Sequence, residues 1–371
     1  MDSSKDSIKV CHISDCHSLD DDRVFFKECI SLSECGYEVT YIGVGQSGRR
    51  NNIERLGIER IGLLGRIVNI RKLLQLALSI DAEIYHLHDP SLLLMVNKLK
   101  KHQKKVIFDS HEDYYQQIRI KKQIPAILRR LVAMLYQRYQ KKICAHLDGF
   151  IFPGPSSTIK IHLPITVVGN TPVFTNRVTP ANNFANRERS VCYVGGLSED
   201  RGITNLIRAA YKAKCKLILA GSFSSEEYHS ECMRMVEYSV VDYRGHVNHE
   251  DVAKIIMEAR IGISVLRNVG QYATLSNFPI KVLEYCYQGV PVFLNRTVFH
   301  NEMADKYRFA VCVDPDDINE YAEKITEYID DVNKLQEMGN NGYNMVINEF
   351  NWNNDLERLL DLYQSMVRGN R

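Results

Sequence analysis

The chain lacks the cysteine pairs that mark zinc sites and redox motifs, because none of its ten cysteines stands in a C-x-x-C pair. Most of the cysteines lie within apolar runs, which is typical of reduced, buried thiols in a cytosolic protein. The chain also lacks any apolar run near the ~18 residues that a transmembrane helix needs, and its polar start leads straight into a strand-like segment. We therefore expect a cytoplasmic protein without a zinc site or a membrane span.

A large charge of one sign is missing as well. With 47 basic and 45 acidic residues the formal charge is +2, so the composition does not indicate a nucleic-acid-binding protein. The 371 residues exceed one typical core and fit two domains of about 150 to 200 residues each. Hydrophobic residues make up 45% of the chain, which is enough for both cores.

Short apolar runs alternate with helix-length segments, which predicts an α/β protein with parallel sheets. The strands predicted in the first half are 8–13, 39–44, 83–87, 105–108 and 149–152, with a helix over 23–35. Those predicted in the second half are 190–194, 216–220, 241–244, 261–265 and 290–294. A polar stretch with Pro180 separates the halves. We predict two doubly wound, Rossmann-like domains, 1–172 and 173–352, facing each other across a ligand-binding cleft, and an amphipathic helix over 353–371.

A capped helix followed by a buried strand is predicted near position 280. Pro279 suits the first turn of this helix, and Ser276 or Asn277 can cap its start. Gly289 can close its end, because glycine adopts the left-handed conformation that often terminates a helix.

The same helix carries an acid on a face that is otherwise apolar. Glu284 lies about one turn from the start and shares its face with Ile280 and Leu283. The helix start offers unpaired N–H groups to an anion such as a diphosphate, and Lys281 stands in the first turn, where a cation needs an anion beside it. The residues leave two interpretations open, a ligand-binding helix and a packed helix with a salt-bridged Glu284.

Three predicted strands of the second half end in glycine and a polar residue. In the first of them, YVGGLSEDRG, Gly195 and Gly196 allow the backbone to approach a ligand, and Arg201 can bind phosphate oxygens. The segment is neither a Walker loop nor a G-x-G-x-x-G fingerprint, and a tight turn with a solvated arginine is the alternative. Gly221 and the turn at 245–247 end strands in the same way, which predicts one side of a ligand cleft.

Histidines and carboxylates follow two strands of the first half, in the sequences HLHD at 86–89 and DSHED at 109–113. Two histidines at i and i+2 share one face of a strand and can bind a metal together with nearby carboxylates. Hydrogen bonding to hydroxyl groups in a polar cleft is the competing use. The acid run at 20–22 contains the D-x-D spacing of some metal-dependent sugar-nucleotide enzymes, and a solvated helix cap is its alternative.

Basic residues are concentrated between Arg119 and Lys142, where they alternate with isoleucine, leucine and tyrosine. A basic amphipathic helix with aromatic residues can lie on an anionic bilayer, each basic residue contributing about 1 kcal/mol. A core helix with one solvated face is the alternative.

In their order, these motifs resemble the retaining, sugar-nucleotide-dependent glycosyltransferases of family 4, which have the GT-B fold. The motifs are HxHDP, FDSHED, YVGGLxxxRGI and PIKVLEYxxxGVPV, and the match runs from DRVFxKE at 22–28 to FNW at 350–352. The resemblance implies transfer of a sugar from a nucleoside diphosphate sugar to an acceptor hydroxyl with retention, without a metal or other cofactor. It also implies an acceptor-side first domain, a nucleotide-sugar-binding second domain and a C-terminal helix that packs back on the first.

The resemblance assigns a role to each matching position. Glu284 corresponds to the acid that accepts both ribose hydroxyls. Arg201 falls where the family usually has a lysine that holds the diphosphate, and Lys281 lies close to the same helix start. His111 corresponds to a histidine that contacts the donor sugar near the reacting carbon, and the turn at 245–247 lies beside the base. The candidate catalytic residues are His111, Arg201 and Lys281. The candidate nucleotide-sugar-binding residues are Gly195, Gly196, Gly221, His246, Val247, Ser276, Asn277, Phe278, Pro279, Ile280 and Glu284.

Two positions depart from the family pattern. Gly196 stands where the family often has an arginine, and Ser276 stands where it has the first acid of a pair that contacts sugar hydroxyls. Three interpretations are open. The protein has a different sugar specificity, or it positions the sugar by backbone N–H groups, or it is a silent subunit that binds a partner transferase. A sugar-nucleotide epimerase of the same fold is a further alternative.

Members that build surface polysaccharides often act on polyprenyl-linked sugars, so the stretch 119–142 implies contact with the inner face of the membrane.

Overall fold

The computed structural model describes residues 7–121, 123–154, 159, 161–174, 180, 183–269, 272–273 and 275–368. The chain forms two compact units. Unit 1 comprises Met1–Asn170 and Trp352–Arg371, and unit 2 comprises Thr171–Asn351. The boundaries predicted from the sequence lie at 172/173 and 352/353.

Unit 1 is built on an eight-stranded sheet. Its strands are β1 Lys9–Ser18, β2 Glu38–Val44, β3 Gly48–Arg50, β4 Ile53–Ile58, β5 Ile84–Leu87, β6 Lys105–Asp109, β7 Gly149–Phe152 and β8 Ile165–Val167. Their order is β3-β4-β2-β1-β5-β6-β7-β8, and every pair of neighbours is parallel except β3 and β4. The helices are α1 Ile30–Glu34, α2 Leu63–Ile80, α3 Val96–Lys101, α4 Tyr114–Ile120, α5 Ala126–Cys144 and the C-terminal helix Trp352–Arg368.

Both faces of this sheet are covered, because adjacent residues of β1 belong to different cores. Val10 lies in one apolar cluster and Cys11 in the other. The C-terminal helix completes the first of these clusters with Leu359 and with Trp352, whose indole N–H donates a hydrogen bond of 2.8 Å to Ser31. The helix therefore packs on the first domain, as the resemblance implied.

Unit 2 contains a six-stranded parallel sheet. Its strands are β9 Ser190–Val194, β10 Lys216–Ala220, β11 Val241–Tyr243, β12 Ile261–Ser264, β13 Val292–Asn295 and β14 Ala310–Val313. Their order is β11-β10-β9-β12-β13-β14. The helices are α6 Ile203–Lys212, α7 Glu226–Met233, α8 His249–Glu258, α9 Ile280–Tyr287, α10 Val298–Tyr307, α11 Ile318–Ile329 and α12 Val332–Asn348. The prediction of an α/β fold with two doubly wound domains is confirmed.

The helix predicted over 23–35 is present, but it begins as a π-helix, Asp22–Cys29, and becomes α-helical only at Ile30. Asp21 caps this segment by accepting the N–H groups of Arg23 and Val24, so one acid of the run at 20–22 serves as a helix cap. Among the helices of the described ranges, none is long and apolar enough to cross a membrane.

Candidate functional site

Three glycines at the ends of neighbouring strands hold their loops in backbone contact. Gly195, Gly221 and Gly245 follow β9, β10 and β11 and have φ values of +124°, +141° and +66°. The N–H of Gly195 donates to Ala220 O at 2.8 Å, and the N–H of Gly221 donates to Gly245 O at 2.7 Å. A Cβ atom on Gly221 would lie 1.9 Å from the carbonyl oxygen of Gly195, so only glycine fits there. The three strand ends singled out in the sequence thus adjoin one another.

The turn formed by Gly195 and Gly196 lies against two cationic side chains. A Cβ atom built on Gly195 would lie 2.9 Å from Lys281 Nζ and 3.7 Å from Arg201 Nη1. One built on Gly196 would lie 3.0 Å from Arg201 Nη1. Both predicted diphosphate ligands therefore converge on this turn, and the missing side chains leave the room that the cations occupy.

The ammonium group of Lys281 is buried without a hydrogen-bond partner in the described part of the chain. It lies 3.7 Å from the centroid of the Tyr193 ring, a cation–π contact that compensates only part of its lost hydration. Burial, followed by the positive charge of Arg201, holds the pKa of Lys281 well below its usual range. The charge of Glu284 favours the ionised lysine but does not offset burial and Arg201, so a further anion at this turn would stabilise both cations.

The start of α9 differs from the prediction. Pro279 occupies the N-cap position, and no side chain of the described residues caps the helix, so the capping roles predicted for Ser276 and Asn277 were wrong. A cap must occupy the residue next to the first helical turn, and proline stands there. The first N–H groups of α9 thus have no side-chain cap.

Gly289 closes the other end of α9, as predicted. It has a φ of +70°, its N–H donates to Cys286 O, and the N–H of Val290 donates to Tyr285 O, both at 2.9 Å. These bonds form a Schellman motif. Glu284 lies half-buried on the helix between the two ends.

The remaining candidates of unit 2 have different surroundings. Phe278 is buried in an aromatic cluster with Phe299, Phe309 and Phe350, so its side chain belongs to the core and only its backbone is available to a ligand. The side chain of His246 is exposed, whereas that of Val247 packs partly against the core. Ser276, Asn277 and Ile280 are half-buried.

In unit 1, His111 belongs to a cluster of charged residues and histidines, and only some of its members were predicted from the sequence. Arg23 donates to Glu28 at 2.9 Å and to Asp109 at 2.7 Å, and the Asp109 carboxylate lies 3.6 Å from His111 Nε2. Burial raises the pKa of Glu28 and that of Asp109, while Arg23 opposes the shift at both carboxyls. Arg23 and Glu28 are part of the DRVFxKE motif, but their contacts with Asp109 connect residues too distant in sequence for a pattern to predict.

Potential metal ligands also meet in this cluster. His12, Glu28, His86 and His88 bring ligand atoms within 4.8 Å of one another, and so do His88, Asp109 and His111. The imidazoles contact each other directly, however, because His12 Nδ1 lies 3.0 Å from His88 Nε2. This is a hydrogen-bond distance, shorter than the ~3.3 Å that separates two nitrogens bound to one zinc ion. The geometry therefore fits the hydrogen-bonding use of these histidines better than a closed metal site.

Comparison with known proteins gave a family match for one unit and a fold match for the chain. Residues 175–345 match the model of a family described as "Glycosyl transferases group 1". This range contains all the unit 2 candidates. No protein of curated function matches the sequence.

Solved structures match nearly the whole chain at low sequence identity. Sucrose-phosphate synthase (tll1590) from Thermosynechococcus elongatus has a TM-score of 0.75 and 15% identity, over 98% of this chain and 100% of that one. A glycosyltransferase from Rickettsia africae has a TM-score of 0.74 and 13% identity, over 98% and 99%. Anabaena Alr3699/HepE in complex with UDP has a TM-score of 0.72 and 14% identity, over 97% and 100%. The chain thus shares the GT-B fold of these proteins.

Proposed function

We propose that the protein is a retaining glycosyltransferase that moves a sugar from a nucleoside diphosphate sugar to an acceptor hydroxyl, in the synthesis of a surface polysaccharide or glycoconjugate. The observation that carries this proposal is the pair of cations at the Gly195–Gly196 turn, of which Lys281 is buried and unpaired among the described residues. A diphosphate supplies the anion that this turn lacks. The family match over 175–345 supports the same chemistry.

Charge develops on the departing diphosphate and on an oxocarbenium-like sugar during such a transfer. Arg201, Lys281 and the uncapped start of α9 would stabilise the diphosphate, since groups already held in place lose no energy to reorganisation. Glu284 would accept the ribose hydroxyls, a task that suits two carboxylate oxygens. His111 would contact the donor sugar. We propose no metal or other cofactor for this step.

The donor is best sought among uridine nucleotides. One structural neighbour was solved with UDP, with UDP and glucose, and with UDP-glucose. At 14% identity this neighbour does not determine the donor of this chain, so the test should use a panel of radiolabelled sugar nucleotides.

Incubation of the pure protein with that panel separates the proposal from its alternatives. Slow release of free sugar and nucleoside diphosphate from one donor is expected of a transferase without its acceptor. An isomerised donor would indicate an epimerase instead. Absence of turnover and of binding with every donor would favour a silent subunit that binds a partner transferase.

We further propose that the protein acts at the inner face of the membrane, on a lipid-linked sugar. Helix α5 exposes apolar side chains, with 89% of Ile127, 50% of Leu131 and 53% of Leu135 accessible to solvent. These positions recur every four residues and form one stripe. The exposed basic residues of the same segment are Arg119, Lys121, Arg130, Arg138, Lys141 and Lys142. An apolar stripe bordered by basic residues is complementary to an anionic bilayer.

Flotation with anionic vesicles at low salt tests this surface. The protein is expected to float with the vesicles, and the triple change of Ile127, Leu131 and Leu135 to serine is expected to abolish flotation. The change Val236→Ser is a matched control, because Val236 is 73% exposed but lies in unit 2. If the unaltered protein stays unbound, a soluble acceptor is favoured.

A further inference from the structure

Four buried side chains of unit 1 and the partly buried His111 form one continuous line of hydrogen-bonding contacts. His86 Nδ1 lies 2.8 Å from Tyr363 Oη, which lies 3.3 Å from His12 Nε2. His12 Nδ1 lies 3.0 Å from His88 Nε2, and His88 Nδ1 lies 3.0 Å from His111 Nε2. The line therefore begins at His86 and ends at His111, the candidate contact with the donor sugar.

Each of the five groups carries one proton that can form a hydrogen bond. Burial lowers the pKa of His12 to about 3, and it holds the pKa values of His86, His88 and His111 well below the usual range. The histidines are therefore neutral, and each has one N–H and one bare nitrogen. Burial also raises the pKa of Tyr363, which keeps its hydroxyl proton.

This proton count allows only two arrangements. Four contacts need one proton each, so one of the five protons lies outside the line. Tyr363 Oη has no other hydrogen-bond partner among the described residues, so the outer proton lies on one of the two terminal histidines. If it lies at His86, all four histidines are protonated at Nε2 and every bond runs from His111 towards His86. If it lies at His111, all four are protonated at Nδ1 and every bond runs the other way.

The carboxylate of Asp109 distinguishes the two arrangements. Its Oδ2 atom lies 3.6 Å from His111 Nε2 and 3.9 Å from His86 Nε2, and it accepts a bond of 2.7 Å from Arg23, whose charge favours the ionised carboxylate against the effect of burial. With Nε2 protonated, both of these nitrogens direct an N–H towards the negative charge. With Nδ1 protonated, both direct lone pairs towards it, and only His88 Nδ1, at 3.8 Å, offers an N–H. The Glu28 carboxyl favours neither arrangement. It lies 3.8 Å from His12 Nδ1 and 3.9 Å from His88 Nε2, and in each arrangement one of these two nitrogens carries a proton.

We propose that the line runs from His111 to His86 with all four histidines protonated at Nε2, so that His111 presents its bare Nδ1 as an acceptor for a substrate hydroxyl. No described group lies within hydrogen-bond distance of that nitrogen. His88 and Asp109 are then positioning residues, which fix the tautomer of His111 without contacting substrate. The identity of the hydroxyl, on the sugar or the acceptor, rests on the proposed glycosyl transfer; the tautomers do not.

Nuclear magnetic resonance of the full chain, labelled with ¹⁵N at histidine and free of substrate, tests the proposal directly. Long-range proton–nitrogen correlations distinguish the two tautomers, and single His→Gln variants assign the signals. The expected result at neutral pH is protonation at Nε2 in His12, His86, His88 and His111. A histidine of this set that is protonated at Nδ1 or doubly protonated, or one equivalent of bound zinc, would overturn it.

A variant tests the coupling between the four histidines. Asp109→Asn removes the charge that sets the direction, so the Nδ1-protonated form is expected to gain population equally at all four residues. A change confined to one histidine would contradict a single line, and no change would remove Asp109 from its positioning role. Tyr41→Phe, which removes a different buried hydrogen bond of unit 1, is expected to leave all four tautomers as they are. Because substrate is absent, these results are independent of whether the protein transfers a sugar.

Discussion

The cations at the Gly195–Gly196 turn differ in how much they depend on a ligand. Arg201 is partly exposed and donates a long bond of 3.4 Å to Gly196 O, whereas Lys281 has no hydrogen-bond partner among the described residues. A buried cation without a partner is costly, and its ordinary response is to lose its proton. Under the proposed function, a diphosphate at this turn would reverse this response, so ligand binding and protonation of Lys281 would be coupled.

The change Arg201→Ala is expected to lower the rate of glycosyl transfer by about two orders of magnitude, the usual effect of removing one electrostatic stabiliser. The measurement is the release of nucleoside diphosphate from the preferred donor. Arg208→Ala is the matched control, because Arg208 lies exposed on the helix that follows and is expected to retain the unaltered rate. An unchanged rate in Arg201→Ala would remove this residue from the site.

Binding of UDP is expected to take up protons at Lys281. The pKa of this lysine is lowered in the free protein and should rise when a diphosphate approaches, so protons bind with the ligand at pH values between the free and the bound pKa. Affinity should therefore increase as the pH falls from the bound pKa to the free pKa, and it should level off below the free pKa. Calorimetry in buffers of different ionisation enthalpy measures the uptake, which Lys281→Met should abolish.

Some residues of the candidate site could be predicted from the sequence, and others could not. Arg201 and Lys281 were recognisable because each belongs to a local motif beside glycine or proline. His12 was not, since its role depends on the pairing of β1 with β5, which places it opposite His86 from 74 positions away. Contacts of this kind arise from topology, and no local spacing encodes them.

The loops after β9, β10 and β11 contain glycines that differ in how much space surrounds them, so alanine substitutions there should destabilise the protein to different extents. Gly221→Ala is expected to lower the free energy of unfolding by more than about 2 kcal/mol, because the new Cβ meets the Gly195 carbonyl as well as an unfavourable φ. Gly245→Ala should cost about 1 kcal/mol, since Gly245 has a positive φ but no atom within 4 Å of its Cβ position. Denaturant unfolding of both variants measures the difference; equal losses would contradict the close backbone contact.

The strands also show which sequence patterns predict secondary structure correctly. The bounds of β9 and β10 were predicted correctly, because both strands are short apolar runs between polar residues. Strand β3 is fully exposed and reads Gly-Arg-Arg, and β4 mixes charged and apolar residues, so neither showed a strand pattern. These strands lie at one edge of the sheet, where solvent replaces the apolar neighbours that make central strands recognisable.

For the whole molecule, the C-terminal helix ties the last residues of the chain to the first domain. Leu359→Ala is expected to lower the free energy of unfolding by about 2–5 kcal/mol, because Leu359 is fully buried in the cluster that contains Val10 and Ile84. Hydrogen exchange should show lost protection in β1 and β5. The exposed residue Val367 provides a control, since Val367→Ala should change the free energy of unfolding by less than about 0.5 kcal/mol. Full protection in Leu359→Ala would contradict this packing.

Fold and function are supported over different lengths of the chain. The fold likeness extends over nearly all of it, whereas the family match is confined to 175–345, within unit 2. The proposed function would account for this division, because a site for a diphosphate needs specific residues at fixed places, whereas an acceptor site varies with the acceptor. The nucleotide-binding part of the proposal therefore stands on more residues than the acceptor part.

Calorimetric binding of UDP to four proteins tests the central claim most directly, namely that Arg201 and Lys281 form an anion site for a nucleoside diphosphate. We predict that the unaltered protein and Arg208→Ala bind with equal affinity, and that Arg201→Ala and Lys281→Met each bind at least about tenfold more weakly, the loss expected for a charge-assisted hydrogen bond. Equal affinity in all four proteins would contradict the claim.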